Sequence, residues 1–294
     1  MQFSASHEGQ MKEARPSRTA LMVAMRRAAH QIYDHPFVLK DPFAVPIIGP
    51  EAVARVKEER DRLVTGPGRT IRAFMVARAR YAEDQLALAV ARGTKQYVVL
   101  GAGLDTFAYR NPHAEAGLQV FEVDFPATQE WKRERLAAAG IAIPSSVTFA
   151  PVDFEHQTLP EGLQLAGFDA KRPAFFSWLG VTMYLERDTV IGTFNFIASC
   201  PPGGGVAFDY SVARDSLNLL ERLALDAMSR RVAAVGEPFR TFFDPSALAG
   251  ELQGMGFRSV EDLGKEEINA RYFKDRTDGL RIRGGLAHLM SAQV

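Results

Sequence analysis

Gly101-Ala102-Gly103-Leu104-Asp105 follows directly on the apolar run Gln96–Leu100. A glycine turn at the carboxyl end of a buried strand is where open α/β sheets bind nucleotides, because glycine lets the backbone approach a ligand closely. Alone, a glycine-x-glycine turn fits an empty strand-to-helix connection equally well. Its surroundings add weight. Twenty-one residues beyond Gly103, a second apolar run ends in Glu122-Val123-Asp124, which sets a carboxylate where ribose-binding acids sit in nucleotide folds. A third run ends in Val152-Asp153-Phe154. One acid after a strand is usually a helix cap, but Asp105, Asp124 and Asp153 close three consecutive runs at the same edge.

The chemistry of that edge discriminates between nucleotides. A dinucleotide brings two phosphates, which seek helix N-terminal amides and a G-x-G-x-x-G spacing. Here Thr106 stands in place of the third glycine, and Asp105 adds negative charge beside it. S-adenosylmethionine has no phosphate and carries a cationic sulfonium and an ammonium, so an acid-lined hollow attracts it, with Asp124 on the ribose hydroxyls. Two other readings stay open: a Rossmann-type NAD(P)-dependent oxidoreductase, and a protein that binds S-adenosylmethionine without turnover.

The elements that position these residues follow from hydrophobic periodicity. Short apolar runs at Gln96–Leu100, Leu118–Val123, Val147–Val152, Ala174–Leu179 and Gly205–Tyr210 alternate with helical stretches near Ala127–Ala139, Asp188–Ser199 and Ala213–Val235. That alternation generates a parallel sheet. A helix at Asp244–Gly254 and runs at Phe257–Leu263 and Gly285–Met290 bring the expected strand count to seven. Before residue 95 the pattern is helical. Arg18–Ile32 places Leu21, Met22, Met25, Ala28, Ala29 and Ile32 at helical spacing, with Ser17 as N-cap. The segment from Asp41-Pro42 to Gly49-Pro50 reads as turns, Glu51–Arg62 as a solvated helix, and Thr70–Arg92 as the longest helix, stopped by Gly93.

Composition bounds the function. The 294 residues, 47% hydrophobic, suffice for one large α/β domain spanning 1–294. Within it, 1–16 is a polar, loose start, 17–94 a helical cap, and 95–294 the sheet core with C-terminal helices. Thirty-five basic residues balance thirty-five acidic ones, which gives no general attraction to nucleic acid or to an anionic membrane surface. A single cysteine, Cys200, closes no intrachain disulfide, and six scattered histidines suggest no metal site. The apolar run Ala174–Leu185 falls short of the ~20 residues needed to cross a bilayer, and residues 1–16 lack a signal-peptide core, so a cytoplasmic location is expected.

Several stretches resemble the leucine carboxyl methyltransferase-like family of bacterial S-adenosylmethionine-dependent methyltransferases. They are Ser17–Ala20 (SRTA), Asp41–Ala44 (DPFA), Ala77–Arg80 (ARAR), Gln96–Arg110 (QYVVLGAGLDTFAYR), Phe121–Leu136 (FEVDFPATQEWKRERL), Gly180–Leu185 (GVTMYL) and Arg271–Leu280 (RYFKDRTDGL). The resemblance runs from about Ser17 to about Leu289. It implies a class I methyltransferase fold, Rossmann-like, with a seven-stranded, mostly parallel sheet whose last strand is antiparallel, and an N-terminal helical cap over the site. It assigns Gly101 and Gly103 to the turn under the cosubstrate and Asp124 to the ribose. It also assigns Asp153 and Phe154 to the adenine amine and ring face, and Arg78 to the cosubstrate carboxylate. One departure stands out: where the family's carboxyl methyltransferases place a glutamate before the fourth-strand glycine, this chain has Leu179.

Methyl transfer from a sulfonium is an in-line displacement with an activated donor, so alignment dominates and contributes up to ~7–11 kcal/mol. A carboxylate acceptor needs no base, whereas a hydroxyl acceptor benefits from one. Tyr184 is the leading catalytic candidate; Asp209 with Tyr210, and His156, are others, each read more simply as a core or capping residue. The expected acceptor is a small carboxylate or hydroxyl compound, and the family's spread suggests secondary metabolism. Aromatic residues of the cap and tail (Tyr33, Phe37, Phe43, Phe239, Phe242, Phe243) suit an apolar acceptor, though core packing accounts for them as simply. A homodimer contact through the tail helices is left open.

Overall fold

All seven apolar runs enter one sheet in the computed structural model, which describes residues 18–153, 157–234 and 238–294. The loose start at 1–16, the Ser17 cap, Phe154 and His156 lie outside the described residues. The strands are β1 (Gln96–Leu100), β2 (Gln119–Asp124), β3 (Val147–Pro151), β4 (Ala174–Trp178), β5 (Gly205–Ser211), β6 (Ser259–Leu263) and β7 (Ala287–Gln293). Their order is β3-β2-β1-β4-β5-β7-β6. The first five run parallel, and β7 pairs antiparallel with both β5 and β6, as the resemblance implied.

Every residue of β1 and β4 is buried, the pattern of parallel strands covered on both faces. Side chains alternate between two cores. Tyr97, Val99, Val120 and Phe175 pack beneath the helical cap, while Val98, Leu100, Phe121 and Phe176 pack on the opposite face. The register aligns the strand ends: Leu100 is level with Val123 and with Trp178. The turns after β1, β2 and β4 therefore open at one edge, where the strand order reverses between β1 and β4.

The cap comprises α1 (Arg18–Tyr33), α2 (Ala44–Glu58), α3 (Arg60–Val64) and α4 (Gly66–Ala91). In α4 the buried apolar stripe is mostly small, Ala73, Val76, Ala77, Ala82 and Ala89, with Tyr81 and Leu86 as its larger members, whereas Leu88 is exposed. Small side chains allow the helix to lie close against α1 and the sheet. The stretch read as turns is helical from Ala44 onward. Its break is confined to Gly49, at φ 75° and ψ 166°, where Pro50 cannot donate a helical hydrogen bond. Arg135 of α5 (Pro126–Ala138) donates to the Ile48 carbonyl at 2.9 Å, and burial of Ile47 and Ile48 holds the bent helix in place.

Helices α6 (Leu159–Leu165), α7 (Arg187–Ala198), α8 (Leu219–Ala234) and α9 (Pro245–Gly254) follow, with α10 (Lys265–Tyr272) between β6 and β7. The sequence reading contained neither α6 nor α10. α6 is only 7 residues long and fixed by a Thr158–Glu161 capping box, and α10 buries only Ile268, so neither shows amphipathic periodicity. The stretch read as one helix at Ala213–Val235 is a 3-10 turn, Arg214–Ser216, followed by α8.

Candidate functional site

A cavity of about 680 Å³ opens at the carboxyl edge of the sheet, walled by the turns after β1 and β4 and by α1 and α4 of the cap. Its size falls inside the ~300–1,000 Å³ of small-molecule sites. Gly101 and Gly103 line it with φ of 66° and 45°, the left-handed region that glycine enters without a Cβ penalty. A Cβ on Gly101 would stand 2.5 Å from a methyl of Val181, and one on Gly103 would stand 3.1 Å from the Ala20 Cβ. The turn is thus pressed between the loop after β4 and the cap helix α1.

Asp124 ends β2 with its carboxylate at this turn. Oδ2 accepts the Gly103 amide at 2.6 Å and Oδ1 accepts the Phe125 amide at 2.7 Å. Burial pushes the carboxyl above the ordinary aspartate value, against the pull of these two amides. Asp153 lines the same cavity, as does Asp105, so the three acids that the sequence placed at the edge share one hollow. Phe154, the other residue assigned to the adenine, lies outside the described residues.

Arg78 reaches the cavity from α4 and is 5% exposed. Its Nη1 donates to Asp209 Oδ2 at 2.8 Å, while Asp209 Oδ1 accepts the Gly180 amide at 2.5 Å. The guanidinium lies flat on Gly180: a Cβ there, at φ 75°, would be 2.8 Å from both terminal nitrogens. Asp209 therefore stands behind Arg78 as its counter-ion, outside the cavity wall, and not as a free base. Tyr210, the next residue along β5, points to the other face, where its hydroxyl donates to Asp262 at 2.8 Å. Strand alternation removes it from the site.

Asp105 lines the cavity with its charge already engaged. Arg27 of α1 donates to its Oδ2 at 3.0 Å, and its Oδ1 accepts the Phe107 amide at 2.8 Å. Burial works to raise its pKa, but Arg27, Lys132 and Arg110 hold it below the usual value. Arg27 also donates to Asp41 at 2.5 Å and to Thr106 at 2.7 Å. Arg110 donates to both oxygens of Glu83 and approaches Asp41 at 3.5 Å. This buried cluster ties α1, the Asp41 turn, α4 and the loop after β1 together. Arg27 and Glu83 were not singled out in the sequence, since each reads as a solvated helix residue until tertiary contacts place it.

Further along the wall stand Tyr184, the last residue of the 3-10 turn Thr182–Tyr184, and Pro238 and Arg240 of the segment beginning at Pro238. The Tyr184 ring packs on Phe239 with centroids 5.5 Å apart, and the Arg240 amide donates to the Met183 carbonyl at 2.7 Å. Val181, Leu185 and Pro238 supply apolar wall. Leu179 also lines the cavity, so the departure from the family's glutamate lies inside the site. On the sheet side, Tyr97 donates to Ser177 at 2.8 Å. Among the described residues, no three His, Cys, Asp or Glu side chains are grouped to hold a metal ion, and no helix is long and apolar enough to cross a membrane.

Sheet order, cap and site define a class I S-adenosylmethionine-dependent methyltransferase. The family model described as leucine carboxyl methyltransferase matches residues 20–198, and the chain belongs to that family. It is 33% identical over 296 residues to YktD of Bacillus subtilis, covering 92% of this chain and 95% of that one; YktD carries the provisional description of an S-adenosyl-L-methionine-dependent methyltransferase. A protein of Mycobacterium bovis with the same description is 29% identical over 277 residues, covering 86% of this chain and 76% of its own. Among solved structures, a methyltransferase so assigned from Thermobifida fusca superposes with a TM-score of 0.57 at 16% identity, covering 99% of both chains. A DUF574 protein of Streptomyces avermitilis does so at 0.54 and 16%, covering 96% of this chain and 99% of its own. At that identity the likeness concerns the fold.

Proposed function

We propose that this chain is a cytoplasmic enzyme that moves the methyl group of S-adenosylmethionine to an oxygen of a small organic molecule, with a carboxylate as the preferred acceptor. The observation that carries the reading is the meeting of Asp124 and Arg78 in one cavity: an acid fixed at the glycine turn for ribose hydroxyls, and a buried arginine for the cosubstrate carboxylate. Asp153 is assigned to the adenine amine. The residues fit the molecule, since the glycines let the turn pack tightly against Val181 and Ala20 at positive φ and line the cavity with backbone alone.

When bound, S-adenosylmethionine supplies an electrophilic methyl on a positively charged sulfur. An acceptor oxygen lone pair forms the new O–C bond while the C–S bond breaks and its electron pair stays on sulfur. The chain's part is to orient and to exclude water. Val181, Leu185 and Pro238 wall the acceptor end, and Tyr184, which lines the same wall and packs on Phe239, is assigned to orienting the acceptor. Of the four carboxylates on the described wall, Asp105 is engaged by Arg27, Glu83 by Arg110 and Asp124 by two amides, and Asp153 is the one assigned to the adenine. A carboxylate acceptor asks for no base, so it suits this wall better than a hydroxyl, and membership of the leucine carboxyl methyltransferase family supports the same choice.

The test is transfer of label from methyl-labelled S-adenosylmethionine into panels of small carboxylates and hydroxyl compounds. Mild alkali releases label as methanol from a methyl ester and leaves a methyl ether intact. Alkali-labile product supports the carboxylate reading, ether supports hydroxyl transfer, and label confined to the donor or bound to nitrogen or carbon defeats the proposal.

A further inference from the structure

The amino-acid end of S-adenosylmethionine is a zwitterion, and the cap helix offers one charge of each sign to it. α4 lines the cavity with Met75, Arg78, Ala79, Ala82 and Glu83. Arg78 and Glu83 thus both reach the cavity from α4, about 7.5 Å apart along the axis at 1.5 Å per residue. Arg78, almost fully buried, spends one Nη on Asp209 and keeps the remainder of its fork at the wall.

Counting charge shows why Glu83 can receive a cation although Arg110 already touches it. The buried cluster contains two cations, Arg27 and Arg110, and three carboxylates, Asp41, Glu83 and Asp105. Asp41 draws on both arginines and Asp105 on Arg27, so one negative charge is left without a full partner. Each Glu83 oxygen accepts a single bond from Arg110, and a carboxylate oxygen has a second acceptor site. Burial raises the Glu83 carboxyl, opposed by Arg110, and the nearby Asp105 raises it further. A bound ammonium would balance the count. The residue before the Gly180 turn, where the resemblance implies a glutamate, is Leu179, an apolar part of the cavity wall.

We infer that Glu83, acting from the cap helix, receives the α-ammonium of the cosubstrate in place of the glutamate that Leu179 replaces. This rests on reading the cavity as the S-adenosylmethionine site. Calorimetric titration tests it with S-adenosylhomocysteine and with its deaminated counterpart, in which a hydroxyl replaces the ammonium. Wild type should prefer the amine by about tenfold, the worth of one charge-assisted hydrogen bond, and Glu83→Gln should abolish most of that preference. 5′-Methylthioadenosine, which lacks the amino-acid end, should bind both proteins alike. The preference is a ratio within one protein, so partial unfolding does not mimic the effect. Should Glu83→Gln yield no folded protein, Glu83→Asp keeps the charge, withdraws it by one methylene, and should lower the same ratio. An unchanged ratio in the variant that folds overturns the role of Glu83 alone. Failure of wild type to bind S-adenosylhomocysteine overturns the cosubstrate reading with it.

Discussion

The Oδ2 of Asp124 lies 2.6 Å from the amide nitrogen of Gly103, two strands' ends joined by one hydrogen bond. The acid assigned to the ribose therefore also fixes the turn beneath the cosubstrate. Binding group and backbone cradle form one unit, and disturbing either is expected to disturb the other.

Acidification should weaken cosubstrate binding early. Ribose hydroxyls donate to the ionised carboxylate, so the ligand lowers the pKa of Asp124, and affinity is lost as pH falls through its value in the free protein. Burial holds that free value above the ordinary ~3.9 of aspartate. The affinity for S-adenosylhomocysteine should thus begin to fall at a higher pH than an ordinary aspartate would give, with proton release on binding in that window. Titrations in buffers of different ionisation enthalpy check this.

Gly180 and Asp209 hold Arg78 from two sides. Gly180→Ala forces a Cβ into both terminal nitrogens of Arg78 and leaves alanine at a positive φ, at roughly 1–2 kcal/mol of folding stability. Asp209→Asn removes the counter-charge of a buried arginine. Both should weaken S-adenosylhomocysteine binding by about tenfold or more, the scale of a lost charged contact, while 5′-methylthioadenosine, without the carboxylate, binds nearly as before. Equal losses for both ligands would contradict the role given to Arg78.

Lys132 and Glu122 form an ion pair at 2.7 Å, each about 1% exposed, beside the site, and the Tyr109 hydroxyl donates to the same Glu122 oxygen at 3.0 Å. Burial raises the Glu122 carboxyl and Lys132 opposes it. Lys132→Met should cost about 3–5 kcal/mol in urea unfolding, because it strands a buried carboxylate, and the double change Glu122→Gln with Lys132→Met should recover most of that.

Tyr184→Phe keeps the ring on Phe239 and removes the hydroxyl. The expected result is a fall in kcat of up to about tenfold, the worth of one neutral hydrogen bond, with unchanged affinity for S-adenosylhomocysteine. A variant as active as wild type would reduce Tyr184 to packing.

The sheet was legible because its cues are local. Gln96–Leu100 is a run of buried residues ended by glycine, and the strand occupies those same five positions. Asp124 and Asp153 were legible for the same reason, being tied to strand ends. The cap was harder to read. Asp41-Pro42 and Gly49-Pro50 are turn signals, yet burial of Ile47 and Ile48 and the Arg135 bond to the Ile48 carbonyl make a kinked helix of the stretch between and beyond them. Arg27 and Glu83 were invisible because their partners, Asp105 and Arg110, lie 78 and 27 residues away. Asp209 sits at the expected strand end, but only the approach of α4 turns it from candidate base into counter-ion.

Calorimetric titration of wild type and Asp124→Asn with S-adenosylhomocysteine, and separately with NADH, tests the central claim most directly. Saturable binding of S-adenosylhomocysteine by wild type, at least about tenfold weaker in the variant as for loss of a charged acceptor, and no binding of NADH by either protein is the predicted result. Binding of NADH alone, or equal affinity of both proteins for S-adenosylhomocysteine, would contradict it.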